Sequence, residues 1–162
     1  MLELMTVGYE GLSLQEFFGI LEKCKVKTII DVREMPLSRK KGFSKTSMAA
    51  ELAKRGISYR HIQALGCPKP VRNDYRETGD WQAYTVRFMN YLQTQRDVMQ
   101  DLAEIIQNER CCLLCFEEDY NFCHRKYVAE GLAPLVPDQL KINHLTGPIQ
   151  GRVVVQPALA AA

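Results

Sequence analysis

The stretch Glu117-Glu118-Asp119-Tyr120-Asn121-Phe122-Cys123-His124-Arg125 brings a carboxylate, a thiol, an imidazole and a guanidinium together. It lies between the apolar run Cys111 to Phe116 and a helical pattern that ends at Leu132. Cys123 and His124 fall near the expected helix start, where unpaired amides and the helix dipole favour anions and depress a thiol pKa. Arg125 adds a bidentate anion-binding fork on the same turn. Three chemistries fit these residue types: anion or phosphate binding by the helix start with His124 and Arg125, nucleophilic use of Cys123 with a nearby histidine, and metal binding by some of Cys115, Cys123, His124 and His144. In a fourth, structural reading, Arg125 pairs with Glu117 or Asp31 while the cysteine and histidine fix the loop. Anion binding leads. Cys115 and Cys123 stand eight apart with no paired short spacing, which argues against a metal, and neither metal nor cofactor is expected.

A second group runs from Asp31 to Arg39. An acid and Arg33 at a strand end are followed by Pro36, Ser38, Arg39, Lys40 and Lys41. Such an acid could act as a general base or orient a hydroxyl while the arginines hold phosphate; the structural alternative is an Asp31 to Arg33 ion pair with a solvated basic loop. Gly8-Tyr9-Glu10-Gly11 has the shape of a phosphate-cradling turn without the dinucleotide or P-loop fingerprint, though Tyr9 could line a pocket. Cys67-Pro68-Lys69-Pro70-Val71-Arg72 is not an oxyanion cradle, because its prolines remove the amides a cradle needs. His61 is expected to be a hydrogen-bonded structural histidine.

These residues must be positioned by alternating elements. Leu4 to Val7 reads as a strand, Ser13 with Glu16 as a capping box, and Leu14, Phe17, Phe18 and Leu21 as a helical face. Val26 to Val32 is a β-branched run suited to a strand covered on both faces, Ser44 to Gly56 a helix, and Ile57 to Ile62 a third strand. Leu65 to Gly79, with two glycines and two prolines, is expected to be a long loop, and Asp80 to Gln107 two helices. Cys111 to Phe116 is a buried strand, Asn121 or Phe122 to Leu132 a helix, and Lys141 to Leu145 a last strand. The expected fold is α/β: a three-layer α/β/α sandwich around a mainly parallel sheet, Rossmann-like, with ligands beyond the strand carboxyl ends. Residues 1–146 form the expected domain, and 147–162 are a tail with no readable pattern.

Composition sets the bounds. With 162 residues, 46% hydrophobic and 25% charged, the chain is long enough for one core and ordinary for a globular domain. A net charge of +2 excludes a bulk field that would draw the chain onto nucleic acid, so any such contact must be local. The amino end has no basic region followed by a long apolar run, no stretch is long enough to span a bilayer, and the cytoplasm is the expected compartment. Most of the six cysteines are then expected to be reduced thiols.

With those residues in view, the chain resembles a bacterial and archaeal family called domain of unknown function 488. The resemblance rests on Thr6-Val7-Gly8-Tyr9, Ile30-Asp31-Val32-Arg33 with Pro36, Ser38, Arg39 and Phe43-Ser44, and Gly56-Ile57-Ser58-Tyr59 with Leu65-Gly66. It continues through Leu113-Leu114-Cys115-Phe116-Glu117, Cys123-His124-Arg125 and Asn143-His144-Leu145. It implies an α/β fold and a shared polar pocket, not a reaction. Cys67 departs from it, standing where the family repeats glycine.

The resulting expectation is a pocket that binds a small phosphorylated or nucleotide-like molecule through Gly8, Tyr9, Arg33, Arg39, His124, Arg125 and His144. Asp31 and Glu117 are its acid-base candidates and Cys123 its candidate nucleophile. The alternatives are a nucleic-acid-binding module using Arg39, Lys40, Lys41 and aromatic side chains, and a structural or interaction domain. No membrane partner is expected, and the sequence does not speak to oligomeric state.

Overall fold

A computed structural model describes residues 1–146 and 152–157. The chain runs β1 (Leu2–Gly8), α1 (Leu14–Lys23), β2 (Thr28–Asp31), α2 (Lys45–Lys54), β3 (Ser58–His61), α3 (Lys69–Thr78), α4 (Trp81–Gln93), α5 (Arg96–Asn108), β4 (Cys111–Cys115), α6 (Arg125–Leu132), β5 (Leu140–Thr146) and β6 (Arg152–Pro157). The strands make one sheet in the order β3-β2-β4-β1-β5-β6. β1 to β5 are parallel and β6 pairs antiparallel with β5, so the expected α/β fold around a mainly parallel sheet is the one adopted.

The order of the strands dictates the layers. From β1 to β2 to β3 the chain steps toward one edge, and from β3 to β4 to β5 it steps back. Right-handed crossovers therefore place the helices of the two runs on opposite faces. One face packs Met5, Val7, Ile29 and Cys112 against Phe17 of α1 and Met48 of α2. The other packs Leu4, Ile30 and Leu113 against Val71, Phe88, Leu102 and Val128 of α3 to α6. Neighbours in sequence, such as Leu4 and Met5 or Cys112 and Leu113, go to opposite cores because strand side chains alternate. Fully buried side chains such as Leu113 and Phe88 each contribute about 2 kcal/mol of hydrophobic stabilisation.

Local signals operate as written at α1, where Ser13 Oγ accepts from the Glu16 amide at 3.1 Å and Glu16 returns the bond to the Ser13 amide at 3.3 Å. At α2 the capping side chain is used differently. Ser44 Oγ accepts from the Ser38 amide at 3.0 Å and so closes the basic loop after β2 instead of capping its helix.

Two expectations fail. Leu65 to Gly79 is not a long loop, because it contains α3, a helix with Pro70 in its first turn and Gly79 in the left-handed conformation at its end. Proline is tolerated there since a first-turn amide has no helical acceptor, and the sparse apolar residues hid the helical period. The helix expected from Asn121 or Phe122 starts only at Arg125, since Cys123 is extended (φ −140°, ψ 138°) between a 3-10 turn at Tyr120–Phe122 and the helix. Of the expected tail, 147–151 and 158–162 lie outside the described residues, and Arg152–Pro157 is β6. No helix among the described residues is long and apolar enough to cross a membrane.

Candidate functional site

Beyond the carboxyl end of β2, Asp31 and Arg33 form a closed latch. Arg33 Nε and Nη2 donate to the two Asp31 carboxylate oxygens at 2.9 and 2.7 Å, and Nη1 donates to the Phe43 carbonyl at 2.7 Å and the Tyr9 hydroxyl at 3.2 Å. Tyr59 donates a further bond to Asp31, and His61 Nε2 lies 2.7 Å from the Arg33 carbonyl. Tyr9 stacks on Phe43 with ring centroids 4.6 Å apart, and Arg33 lies over the Tyr9 face. Burial disfavours the Arg33 charge, but the bonds and charge of Asp31 outweigh it and hold the guanidinium more basic than usual. The pair thus has the structural form, with Asp31 wholly enclosed and Arg33 presenting little more than an edge.

A second buried arginine fastens the opposite wall. Arg125 has no exposed surface: Nε donates to Thr6 Oγ1 at 3.2 Å, Nη1 to the Glu117 carbonyl and Nη2 to the Glu118 carbonyl at 3.3 Å. Thr6 Oγ1 lies 2.7 Å from His144 Nδ1, and the imidazole stacks on Tyr120 with centroids 3.8 Å apart. Burial, then the charge of Arg125, pushes His144 down to about 4, so the ring is neutral, and its Nε2 is buried without a hydrogen-bond partner among the described residues. Gly8 is required by close approach. A Cβ there would stand 1.7 Å from the Glu117 carbonyl oxygen. The amides of Tyr9 and Glu10 donate to the carbonyls of Cys115 and Phe116, so the turn after β1 ties down the loop after β4 and those two amides are not free for a phosphate.

Between these fasteners Cys115, Cys123, His124 and Glu117 converge. His124 Nε2 lies 2.7 Å from the Val32 carbonyl, a bond that requires the proton on Nε2. Nδ1 is thereby turned to the sulfurs, 3.8 Å from Cys115 Sγ and 4.0 Å from Cys123 Sγ, and Glu117 Oε2 is 3.4 Å from Cys115 Sγ. Burial pushes the Glu117 carboxyl up to about 7, with the Cys123 sulfur adding to the rise. Burial opposes ionisation of Cys123 too, but bonds from Cys115 and His124 and the charge of Arg125 outweigh it and hold this thiol well below the usual range. The hydrogen bond to Cys123 and then burial drive Cys115 the other way.

Above this cluster opens a cavity of about 620 Å³ at the strand carboxyl ends. Cys115, Glu117 and His124 form part of its lining. Around it stand Arg39 and Lys40 from the loop after β2, Arg72 and Arg76 from α3, and Tyr75 and Trp81. Arg72 is occupied by Glu34 and the Cys67 carbonyl, and Lys40 reaches the Tyr9 carbonyl. Arg39 and Arg76 are exposed and make no ion pair or hydrogen bond among the described residues. Met35, Leu37, Phe116 and Phe122, all exposed apolar side chains, also face the cavity.

Of the residues singled out in the sequence, Tyr9, Arg33, Arg39, Glu117 and His124 therefore line the cavity. Gly8, Asp31, Cys123, Arg125 and His144 do not. Tyr75 and Arg76 were missed because their segment was read as loop, Arg72 was named only in the rejected cradle reading, and Trp81 lay at the start of the expected helical region with nothing to mark it as a site residue. The spacing of Arg72, Tyr75 and Arg76 at three and four residues was the available signal for a shared helix face.

A family model described as Domain of unknown function DUF488 matches residues 13–132. No curated protein and no solved structure matches the chain.

Proposed function

For a chain that belongs to the DUF488 family, we propose that the cavity binds a small molecule carrying both an anionic group and a flat apolar part, a phosphorylated or nucleotide-like ligand, over a floor equipped for chemistry. One observation carries this reading: unpaired arginines and exposed apolar side chains converge on the same 620 Å³ concavity at the strand carboxyl ends. That size falls within the range of about 300–1,000 Å³ typical of small-molecule sites. Arg39 and Arg76 are the cations available to an anion, since Arg33 and Arg125 are already engaged by internal acceptors. Trp81 and Tyr75 flank them, and Phe116 and Phe122 offer surface for an apolar ring. Exposed large apolar side chains are costly to maintain without an occupant, and four of the seven on the described surface, Met35, Leu37, Phe116 and Phe122, face this cavity.

Cys123 is a poor nucleophile for such a ligand. It is 1% exposed and does not line the cavity, whereas Glu117, Cys115 and His124 do. The test uses Trp81, the single tryptophan, as a reporter inside the site. Its fluorescence is titrated with nucleoside monophosphates, sugar phosphates and inorganic phosphate in the wild type, Arg39→Ala and Arg76→Ala. The expected result is a saturable change with one phosphorylated class, weakened about tenfold by each substitution, in keeping with the loss of one charge-assisted hydrogen bond. No response to any probe at millimolar concentration, or affinities untouched by both substitutions, would overturn the reading. A parallel titration with single-stranded oligonucleotides tests the nucleic-acid alternative through Arg39, Lys40 and Lys41, which requires strongly salt-dependent binding.

A further inference from the structure

We propose that Cys115, Cys123 and His124 bind one divalent metal ion of the zinc class, with the fourth coordination position facing the cavity. The proposal needs no cavity ligand and stands apart from the preceding reading. Its basis is geometric. The two sulfurs and His124 Nδ1 all lie within 4.8 Å of one another, and Nδ1 is 3.8 and 4.0 Å from the sulfurs. A tetrahedral zinc with ordinary bond lengths sets sulfur to nitrogen at about 3.6 Å and sulfur to sulfur at about 3.8 Å. The nitrogen must close by a few tenths of an ångström and the two sulfurs, which lie within 4.8 Å of each other, by up to about 1 Å.

The surroundings meet the remaining requirements of such a site. The bond from His124 Nε2 to the Val32 carbonyl fixes the tautomer that leaves Nδ1 free to coordinate, the outer-shell arrangement that metal-bound histidines use. Cys115 closes β4 in register with Gly8 of β1, and His124 caps α6, so two of the donors are held by the scaffold before any ion arrives. Two thiolates and an imidazole are soft and borderline donors that select zinc-like ions over magnesium or calcium. Two thiolates also neutralise a divalent charge, which a buried site demands. Cys115 and His124 line the cavity and Cys123 lies behind them, so a fourth ligand can approach only from the cavity side, where the Glu117 carboxyl stands. Three protein ligands with one accessible position is the pattern of a metal that works on something, as opposed to one that only ties the chain together.

The experiment is a cobalt(II) titration of the full chain, reduced, chelator-stripped and kept free of oxygen. The expected result is a thiolate-to-cobalt charge-transfer band with tetrahedral ligand-field bands that saturate at one equivalent, are displaced by zinc, and shift on addition of azide at the open position. Cys115→Ser, Cys123→Ser and His124→Gln should each weaken binding by more than about 100-fold, beyond the 10- to 100-fold typical of outer-shell losses. Cys24→Ser, far from the cluster, should leave binding unchanged. Circular dichroism confirms that each variant is folded. Should a variant not fold, alkylation of the wild type decides: zinc must protect Cys115 and Cys123 selectively, as read by peptide mass spectrometry. Absence of the band in reduced protein, retention of it in Cys123→Ser, or equal alkylation with and without zinc overturns the site, and bands insensitive to azide overturn the open position.

Discussion

Two pairs of arginines occupy the end of the sheet where the cavity lies, and they have opposite fates. Arg33 and Arg125 are buried, with their donors directed at Asp31, Tyr9 and Phe43 in one case and at Thr6, Glu117 and Glu118 in the other. Arg39 and Arg76 stand in the exposed rim without internal acceptors. A buried guanidinium must be satisfied within the fold or it destabilises it, so it has little left to give a ligand. The rim pair pays that cost only when a ligand desolvates it. The buried pair therefore belongs to stability, and the exposed pair is what the proposed ligand would find free, although all four are the same residue type near the same crevice.

The largest expected effect is on the buried side. Arg33→Met leaves Asp31 enclosed without its counter-charge and should cost about 3–5 kcal/mol in urea unfolding, with much of the loss recovered in the double variant with Asp31→Asn. A loss below 1 kcal/mol would show that the latch does not hold this wall. Arg125→Met should cost about 3 kcal/mol, because the Glu117 and Glu118 carbonyls and Thr6 lose a charged donor together.

Acid tests the same strut from its other end. Folded His144 stays neutral down to about 4, while the unfolded histidine titrates near its ordinary value of 6.5. Above the ordinary value the ring is neutral in both states and contributes no pH dependence. As pH falls through the window between those two values the unfolded chain takes up a proton the folded one refuses, and stability should drop by up to about 3 kcal/mol. Comparing the pH dependence of the urea midpoint in the wild type and His144→Asn isolates this contribution, and parallel curves would refute it.

Gly8→Ala should cost about 2 kcal/mol, since the Glu117 carbonyl must move and overpacking penalties are of that order. It should also disturb the cavity floor, visible as a change in Trp81 fluorescence. The smallest effect is on the rim, where Arg39→Ala and Arg76→Ala should leave stability within about 0.5 kcal/mol of the wild type, as surface substitutions do. A rim substitution that destabilises as much as Arg125→Met would dissolve the distinction between the pairs.

Most of the sheet was legible because β2 and β4 are near-continuous apolar runs, though β6 fell in the segment without a readable pattern, and Ser13 with Glu16 announced α1 through a local bond. The convergence of the β2 and β4 ends was legible too, since parallel topology places strand ends together. Helix α3 was not, because it buries only Val71 fully and carries proline in its first turn, so neither periodicity nor composition marked it. With it went Tyr75 and Arg76, and the site role of Arg72. The thiol cluster was named as a metal candidate but discounted: a spacing of eight between Cys115 and Cys123 looks wrong for a metal unless the intervening loop folds back, and that return depends on Arg125 holding the Glu117 and Glu118 carbonyls.

By itself the sequence determined most of the strands and helices, the mainly parallel α/β architecture that follows from their alternation, and the end of the sheet where the candidate site residues gather. These rest on local pattern and chain connectivity, which a linear string carries in full. Only the tertiary structure decided which arginines face inward and which outward, that Gly8 is a point of close contact with the loop after β4, and that two distant-looking thiols meet one imidazole. Those outcomes depend on which donors find acceptors within about 3 Å in three dimensions, a fact no spacing along the chain encodes.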